Sequence, residues 1–296
     1  MTKILCIGSV LWDVIGRCPD EMKHGFDRAG HITRHPGGVA YNIAKALSDF
    51  GVYPILLSSL GQDPEGDELI QSCLNDGMQT HFIYRNPHAR TDVYMAIEDL
   101  NGVVAAIADA HSLEQADDAI LTPLVNGDLG SNVSPYAGIA LLDGNLKESL
   151  LHHIARNAAF SACDLRVIPA SPGKAKRLNC FLNSARAAFY VNRIEAEIIC
   201  EVNFENAHDA ATELVAQGAV RAVVTDGANM VADLIKGQEI ITYPVPTVDH
   251  VKQVTGAGDV FVAAHVHAEI NGQSREEALE SGVRAAARHV AGAYYD

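Results

Sequence analysis

Short apolar runs alternate along this chain with longer segments whose apolar positions recur at helical spacing. The first run, Ile4 to Val10, is led by Lys3 and closes over Gly8-Ser9, the pattern of a strand buried on both faces. After Pro36-Gly37-Gly38, the residues Val39, Ile43, Ala46, Leu47 and Phe50 share a helical face that Gly51 stops. Tyr53 to Leu57 predicts a second strand, and Glu65 to Asn75 a helix ending at Gly77. Further strands are predicted near Gly138–Leu142, Leu165–Ile168, Phe189–Val191 and Val220–Thr225, with helices over Lys147–Ala159 and Ala207–Gln217. Strands alternating with helices at this spacing predict an α/β fold, a parallel sheet with helices on both faces.

One region breaks the rhythm. Thr91 to Glu98 and Val103 to Asp109 are strand-like runs joined through Asp99-Leu100-Asn101-Gly102, and the Asn-Gly pair signals a hairpin because both residues tolerate positive φ. Residues 14–35 carry Pro19, Gly25 and Gly30 among charges and alternate only weakly. An antiparallel hairpin does not easily join a parallel core sheet, so a small outlying sheet is expected from this hairpin and part of 14–35.

Composition narrows the function classes. The 296 residues suffice for one large domain or two small ones, and with 48% hydrophobic and 20% charged residues the chain is globular. No apolar run approaches the roughly 20 residues of a bilayer span, and no charged-then-apolar leader opens the sequence. A cytoplasmic protein is expected, its six cysteines reduced. The net charge of −15 repels phosphate backbones, which argues against nucleic acid or an anionic membrane as partner. A phosphate-bearing substrate would need helix N-termini, a bound cation or a few lysines to hold it.

Four constellations carry candidate chemistry. Val254-Thr255-Gly256-Ala257-Gly258-Asp259 leads into a helical pattern, so its N–H groups would meet whatever docks at that helix N-terminus. Asp259 could equally serve as a capping carboxylate, but capping leaves the Gly256-Ala257-Gly258 run without a purpose. Gly37-Gly38 with Asn42 is either a flexible helix entry or a hinge beside a polar group that could reach a ligand hydroxyl. Asn192-Arg193-Ile194-Glu195 fits a capping box. Asp13 follows the first strand, where open α/β sheets place ligands.

Taken together these segments resemble the ribokinase-like, or PfkB, family of carbohydrate and nucleoside kinases. Gly37, Gly38, Ala40, Asn42, Ala44, Gly51 and Gly61 fill its N-terminal signature, Thr255 to Asp259 the glycine-rich core of its C-terminal one, and Asn192 to Glu195 the N-x-x-E motif between them. The resemblance covers residues 3 to 292 and implies a three-layer α/β/α fold with a small β-sheet lid, in segments about 14–35 and 88–110 of a single domain. By resemblance, Asp259 is the base that accepts the hydroxyl proton, and Gly256, Ala257 and Gly258 form an anion hole. Asp13, Gly37, Gly38 and Asn42 would hold the sugar; Asn192, Thr225, Gly227 and Thr255 would line the nucleotide site. Glu195 would organise Mg²⁺ through water, with ATP as co-substrate. Gln253 stands where many members carry an Asp of a monovalent-cation site, which leaves a potassium requirement open.

Within the family the lid, Asp143-Gly144-Asn145, Ser171 with Lys174, and Asn192 to Glu197 resemble pseudouridine kinases. That implies phosphorylation of a ribosyl 5′-hydroxyl, with Asp109 or Asn145 facing the uracil edge. The alternative for both is structural: a strand end at Asp109 and a helix cap at Asn145. A homodimer through the lid is a further expectation. A free-sugar kinase such as ribokinase is the competing substrate class, and a non-catalytic sugar- or nucleoside-binding protein the competing function. A nicotinamide-dependent oxidoreductase is disfavoured, because Gly8-Ser9-Val10-Leu11-Trp12-Asp13 lacks the G-x-G-x-x-G turn.

Overall fold

Ile4, Leu5, Cys6 and Ile7 are all fully buried, yet they divide between two cores. Leu5 and Ile7 join one cluster and Ile4 and Cys6 the other, because successive strand residues face opposite sides of a sheet. The computed structural model describes residues 3–182, 184 and 186–293. In chain order the elements are β1 (Ile4–Ile7), β2 (Leu11–Arg17), β3 (His31–Gly37), α1 (Val39–Asp49), β4 (Ile55–Leu57), β5 (Ser59–Gly61), α2 (Pro64–Asn75), β6 (Tyr84–Asn86), β7 (Val93–Asp99) and β8 (Gly102–Asp109). Then follow α3 (His111–Ala116), β9 (Ile139–Asp143), α4 (Glu148–Arg156), β10 (Asp164–Ile168), β11 (Ala187–Asn192), α5 (Arg193–Cys200) and α6 (Ala207–Ala216). The chain closes with β12 (Arg221–Thr225), β13 (Met230–Ile235), β14 (Ile241–Pro244), α7 (Ala257–Ile270) and α8 (Arg275–Ala291).

An eight-stranded sheet runs β14-β13-β12-β11-β10-β9-β1-β4. Helices α1, α2, α7 and α8 pack on one face and α3 to α6 on the other, which gives three layers. The strands from β12 to β4 pair in parallel, but β13 and β14 run antiparallel, so the sheet is mixed rather than wholly parallel. The reversal is a tight turn in which the Asn229 N–H donates to the Asp226 carbonyl and Gly227 adopts positive φ. The helix predicted over Lys147–Ala159 ends at Arg156, because the Asn157 side chain accepts from the Ala159 N–H and starts a separate turn.

The outlying sheet has four strands in the order β3-β2-β7-β8. Its hairpin turns at Leu100-Asn101, where the Asn101 N–H donates to Asp99 Oδ1 at 2.7 Å. Of the Asn-Gly pair only Gly102 takes a positive φ, contrary to expectation for Asn101. Among the described residues, no helix is long and apolar enough to cross a membrane.

A buried charge network ties α7 to the sheet. Arg221 grips Asp233 with two bonds of 2.8 Å and reaches Glu269 at 2.5 Å, while Arg166 bonds Glu269 and the Tyr190 hydroxyl. Fully buried His265 meets the Tyr190 hydroxyl at 2.9 Å, and burial pushes its imidazole down to about 4, so it is neutral at physiological pH. Arg275 of α8 joins through Asp233.

Candidate active site

Helix α7 opens at Gly256, at a φ of 85° and ψ of −6°, and glycine has no side chain with which to cap it. Asp259, in the first turn, does not cap the helix. Its Oδ2 instead accepts from Asn42 Nδ2 at 2.8 Å, across from α1. Burial pushes the Asp259 carboxyl up to about 7, opposed by the Asn42 bond and reinforced by the charges of Asp143 and Glu195.

Asn42 is aimed by the way α1 begins. Gly38 has a φ of 98°, and a Cβ there would lie 2.5 Å from the Ser9 carbonyl oxygen. Gly38 supplies no side-chain cap, so the Val39 N–H donates to Ser9 Oγ at 3.0 Å. Ser9 is held in turn by Asp143, whose Oδ2 accepts from the Ser9 N–H at 2.8 Å and from its hydroxyl at 2.5 Å. Asn145 Nδ2 donates to Ser9 Oγ at 2.9 Å, and its Oδ1 accepts from Lys174. Asn145 therefore belongs to the polar network behind the glycine pair. It does not cap α4, whose N-cap is Lys147.

The glycine loop stands between cavities. On one side a cavity of about 380 Å³ is lined by Asp13, His35, Asn42, Thr255, Gly256 and His289. Burial raises the Asp13 carboxyl, opposed by His35, and a Cβ on Gly37 would fall 2.0 Å from Asp13 Oδ2. On the other side a cavity of about 460 Å³ is lined by Thr225, Gly227, Ala257, Gly258 and apolar side chains such as Val231 and Phe261. A third, of about 120 Å³, brings together Asn192, Glu195, Thr225, Gly258 and Asp259. Asn192 and Glu195 form the capping box, with both reciprocal bonds at 2.9 Å. Burial also pushes the Glu195 carboxyl up to about 7, against the Asn192 N–H bond.

Two of the expected site residues stand apart from the rest. The Ala257 N–H donates to the Val254 carbonyl at 3.1 Å, closing a turn. Among the described residues, the Gly256 and Gly258 N–H groups have no protein acceptor. Asp109 is not gathered into the site. It registers with Val93 and, through it, with Trp12, on the opposite face of the small sheet from Asp13, and its exposed carboxylate meets His111 Nδ1 at 2.5 Å.

Sequence reasoning missed Ser9, His35 and His289 as parts of this site, and named Asp143 only within a resembling segment, without a role. Asp143 had a usable signal: an acid closing the otherwise apolar strand Ile139–Asp143. The others become neighbours only through tertiary folding.

The model of the pfkB family, described as carbohydrate kinase, matches residues 1–292. A guanosine-inosine kinase of Exiguobacterium acetylicum is 27% identical over 305 residues, covering 98% of this chain and 95% of the relative. A pseudouridine kinase of Arabidopsis thaliana is 27% identical over 173 residues, covering 58% of this chain and 44% of the relative. Among solved structures, Arabidopsis thaliana ribokinase complexed with ribose and ATP superposes with a TM-score of 0.78 at 21% identity, covering 98% of this chain and 92% of that one.

Proposed function

This chain belongs to the pfkB family of carbohydrate kinases, and from that premise we propose that it transfers the γ-phosphoryl group of ATP to the 5′-hydroxyl of a ribosyl nucleoside, with pseudouridine as the best candidate. Family membership makes it an ATP-dependent phosphotransferase of ribokinase-like fold. The observation that carries the finer reading is the glycine loop, a wall shared by a polar cavity at Asp13 and Asn42 and an apolar one at Thr225 and Gly227. An acceptor hydroxyl in the first and a nucleotide base in the second would bring the phosphoryl group to the loop between them.

In this reading Asp259, aimed by Asn42, takes the proton from the attacking hydroxyl. The free N–H groups of Gly256 and Gly258 face the charge spread over the phosphoryl oxygens, helped by the positive end of α7. Asp13 and the Gly37-Gly38 backbone orient the sugar. Glu195 and Asp259 face one small cavity with carboxyls raised to about 7, a pairing that a hard cation relieves. No three potential ligands cluster among the described residues, which suits Mg²⁺ held through water and phosphate oxygens. Bound there, Mg²⁺ would neutralise phosphate charge. A chain of net charge −15 thus holds ATP with backbone dipoles and a cation.

The substrate reading is tested by ADP release with pseudouridine, uridine, guanosine, inosine, ribose and fructose. Pseudouridine should exceed ribose by about ten- to a hundred-fold in kcat/KM, the cost of leaving a buried polar group unpaired. Asp13→Ala, which alters the wall of the polar cavity, should impair both substrates. Higher kcat/KM for ribose or fructose would make the enzyme a free-sugar kinase. A preference for guanosine or inosine would point to the purine class, which the full-length match to a guanosine-inosine kinase favours.

The small sheet acts in this scheme as a lid and a dimer surface. Its face away from Asp13 aligns Ile32, Met95, Ile97 and Ile107 in register, all exposed, with Ile32 at 79% and Ile107 at 63%. Such a patch on a charged protein is the signature of a protein–protein contact. Sedimentation should show a dimer that Ile107→Glu converts to monomer. A monomeric wild-type chain would remove this element of the scheme.

A further inference from the structure

The chain from Val254 to Ala257 is a β-turn closed by the Ala257 N–H on the Val254 carbonyl, and Gly256 at φ 85°, ψ −6° gives it type II geometry. Type II and type I turns differ mainly by a flip of the central peptide, here Thr255–Gly256. The described residues include no cis peptide, and in a trans peptide the C=O and N–H point in opposite directions. Whatever holds the Thr255 carbonyl therefore also aims the Gly256 N–H.

That carbonyl is held by side chains from outside the turn. His289 Nε2, from the last turn of α8, lies 2.8 Å from the Thr255 oxygen, and Gln253 Nε2 donates to it more weakly at 3.3 Å. The His289 ring also lies beside Gly256, where a Cβ would meet Nε2 at 3.4 Å. Since glycine tolerates both turn types, Gly256 itself does not choose between them.

We propose that His289 is a positioning residue for phosphoryl transfer: its Nε2–H, donated to the Thr255 carbonyl, keeps the turn in its type II form and so directs the Gly256 N–H at the transferring group. This rests on the reading of the glycine loop as the phosphoryl site. The imidazole bears its Nε2 proton in the protonated form and in one neutral tautomer, so the role requires no net charge on the ring.

The test compares His289→Ala and His289→Gln with wild type in the intact chain, by kcat, KM for the acceptor, thermal midpoint, and rescue by added imidazole. Removing one aligned donor from such a site costs about 10²–10³ in kcat, and the flip is partial here because Gln253 remains. His289→Ala should therefore lose about ten- to a hundred-fold in kcat with KM within about two-fold. Imidazole should restore part of the loss, and His289→Gln, which keeps an N–H donor, should lie between. In ¹⁵N-labelled protein the Gly256 amide resonance should shift in His289→Ala and return with imidazole, a readout independent of turnover. Three outcomes overturn the proposal: wild-type kcat in His289→Ala, a raised KM at unchanged kcat (direct contact with the acceptor), or a kcat loss that follows a lowered thermal midpoint without rescue. Asp259→Asn run alongside separates the two claims, because full activity there would overturn the site reading itself.

Discussion

Asp259→Asn is expected to lower kcat by roughly 10²–10⁴, the usual worth of a positioned general base, with acceptor and nucleotide binding preserved. The substituted amide oxygen still accepts from Asn42, so α1 and α7 keep their contact. Stability should move the other way. The Asp259 carboxyl is raised from 3.8 to about 7 in the folded chain, so the folded state binds this proton more tightly than the unfolded state. Its contribution to stability is therefore fully present below about pH 4 and is lost as pH rises through about 7. Above that point the ionised carboxylate is a half-buried charge with a single side-chain donor. Asp259→Asn should accordingly raise the thermal midpoint at about pH 8 and leave it nearly unchanged at about pH 4. Stopped-flow turnover and melting curves at the two pH values check both halves, and wild-type-like turnover would sink the assignment.

Gly38→Ala should be damaging for a different reason. The methyl group meets the Ser9 carbonyl oxygen at 2.5 Å, which is backbone and cannot swing aside, and φ 98° is a conformation that alanine rarely adopts. Strain and overpacking together should cost about 2–5 kcal/mol of stability. The surviving folded enzyme should lose roughly 10²-fold in kcat, because the start of α1 shifts and Asn42 no longer aims Asp259. Gly51→Ala is the control. Its φ is also positive, at 78°, but no atom lies within 4 Å of the added Cβ, so it should cost stability while leaving kcat intact. Equal kcat in the two variants would show that the Ser9–Gly38 contact does not reach the site.

The contrast between Asp259 and Asp109 shows what a single sequence reveals. Asp259 was legible because its neighbours on the chain are also its working partners: loop, helix start and acid lie within six consecutive residues. Asp109 depended on parity in a four-stranded sheet, where one residue of register decides the face. A hairpin with a register shift at Ile97/Glu98 cannot be counted out from composition. The parallel strands were legible as apolar runs because both faces are buried. The reversal into β13 was not, because Met230–Ile235 is mostly apolar like the parallel strands beside it and direction leaves no mark on side-chain pattern. Ser9 escaped notice since its task, capping a helix that begins 30 residues later, exists only once Gly38 folds against it.

The charge network beneath α7 has a consequence for how this enzyme could acquire a new acceptor. Sliding α7 by one turn, about 5.4 Å, would take Glu269 away from both Arg166 and Arg221, breaking the ion pairs that join α7 to the sheet and leaving those buried guanidinium groups only partly satisfied by Asp164 and Asp233. The helix bearing Asp259 is thereby fixed in register from its far end, and a change of substrate has little purchase there. The small sheet has no such anchor: β8 is exposed along its whole length, and β3 along most of it. Variation that retunes which nucleoside or sugar is admitted should accumulate on those strands, and a library randomised at β3 and β8 should yield altered acceptors more often than one of equal size in α7.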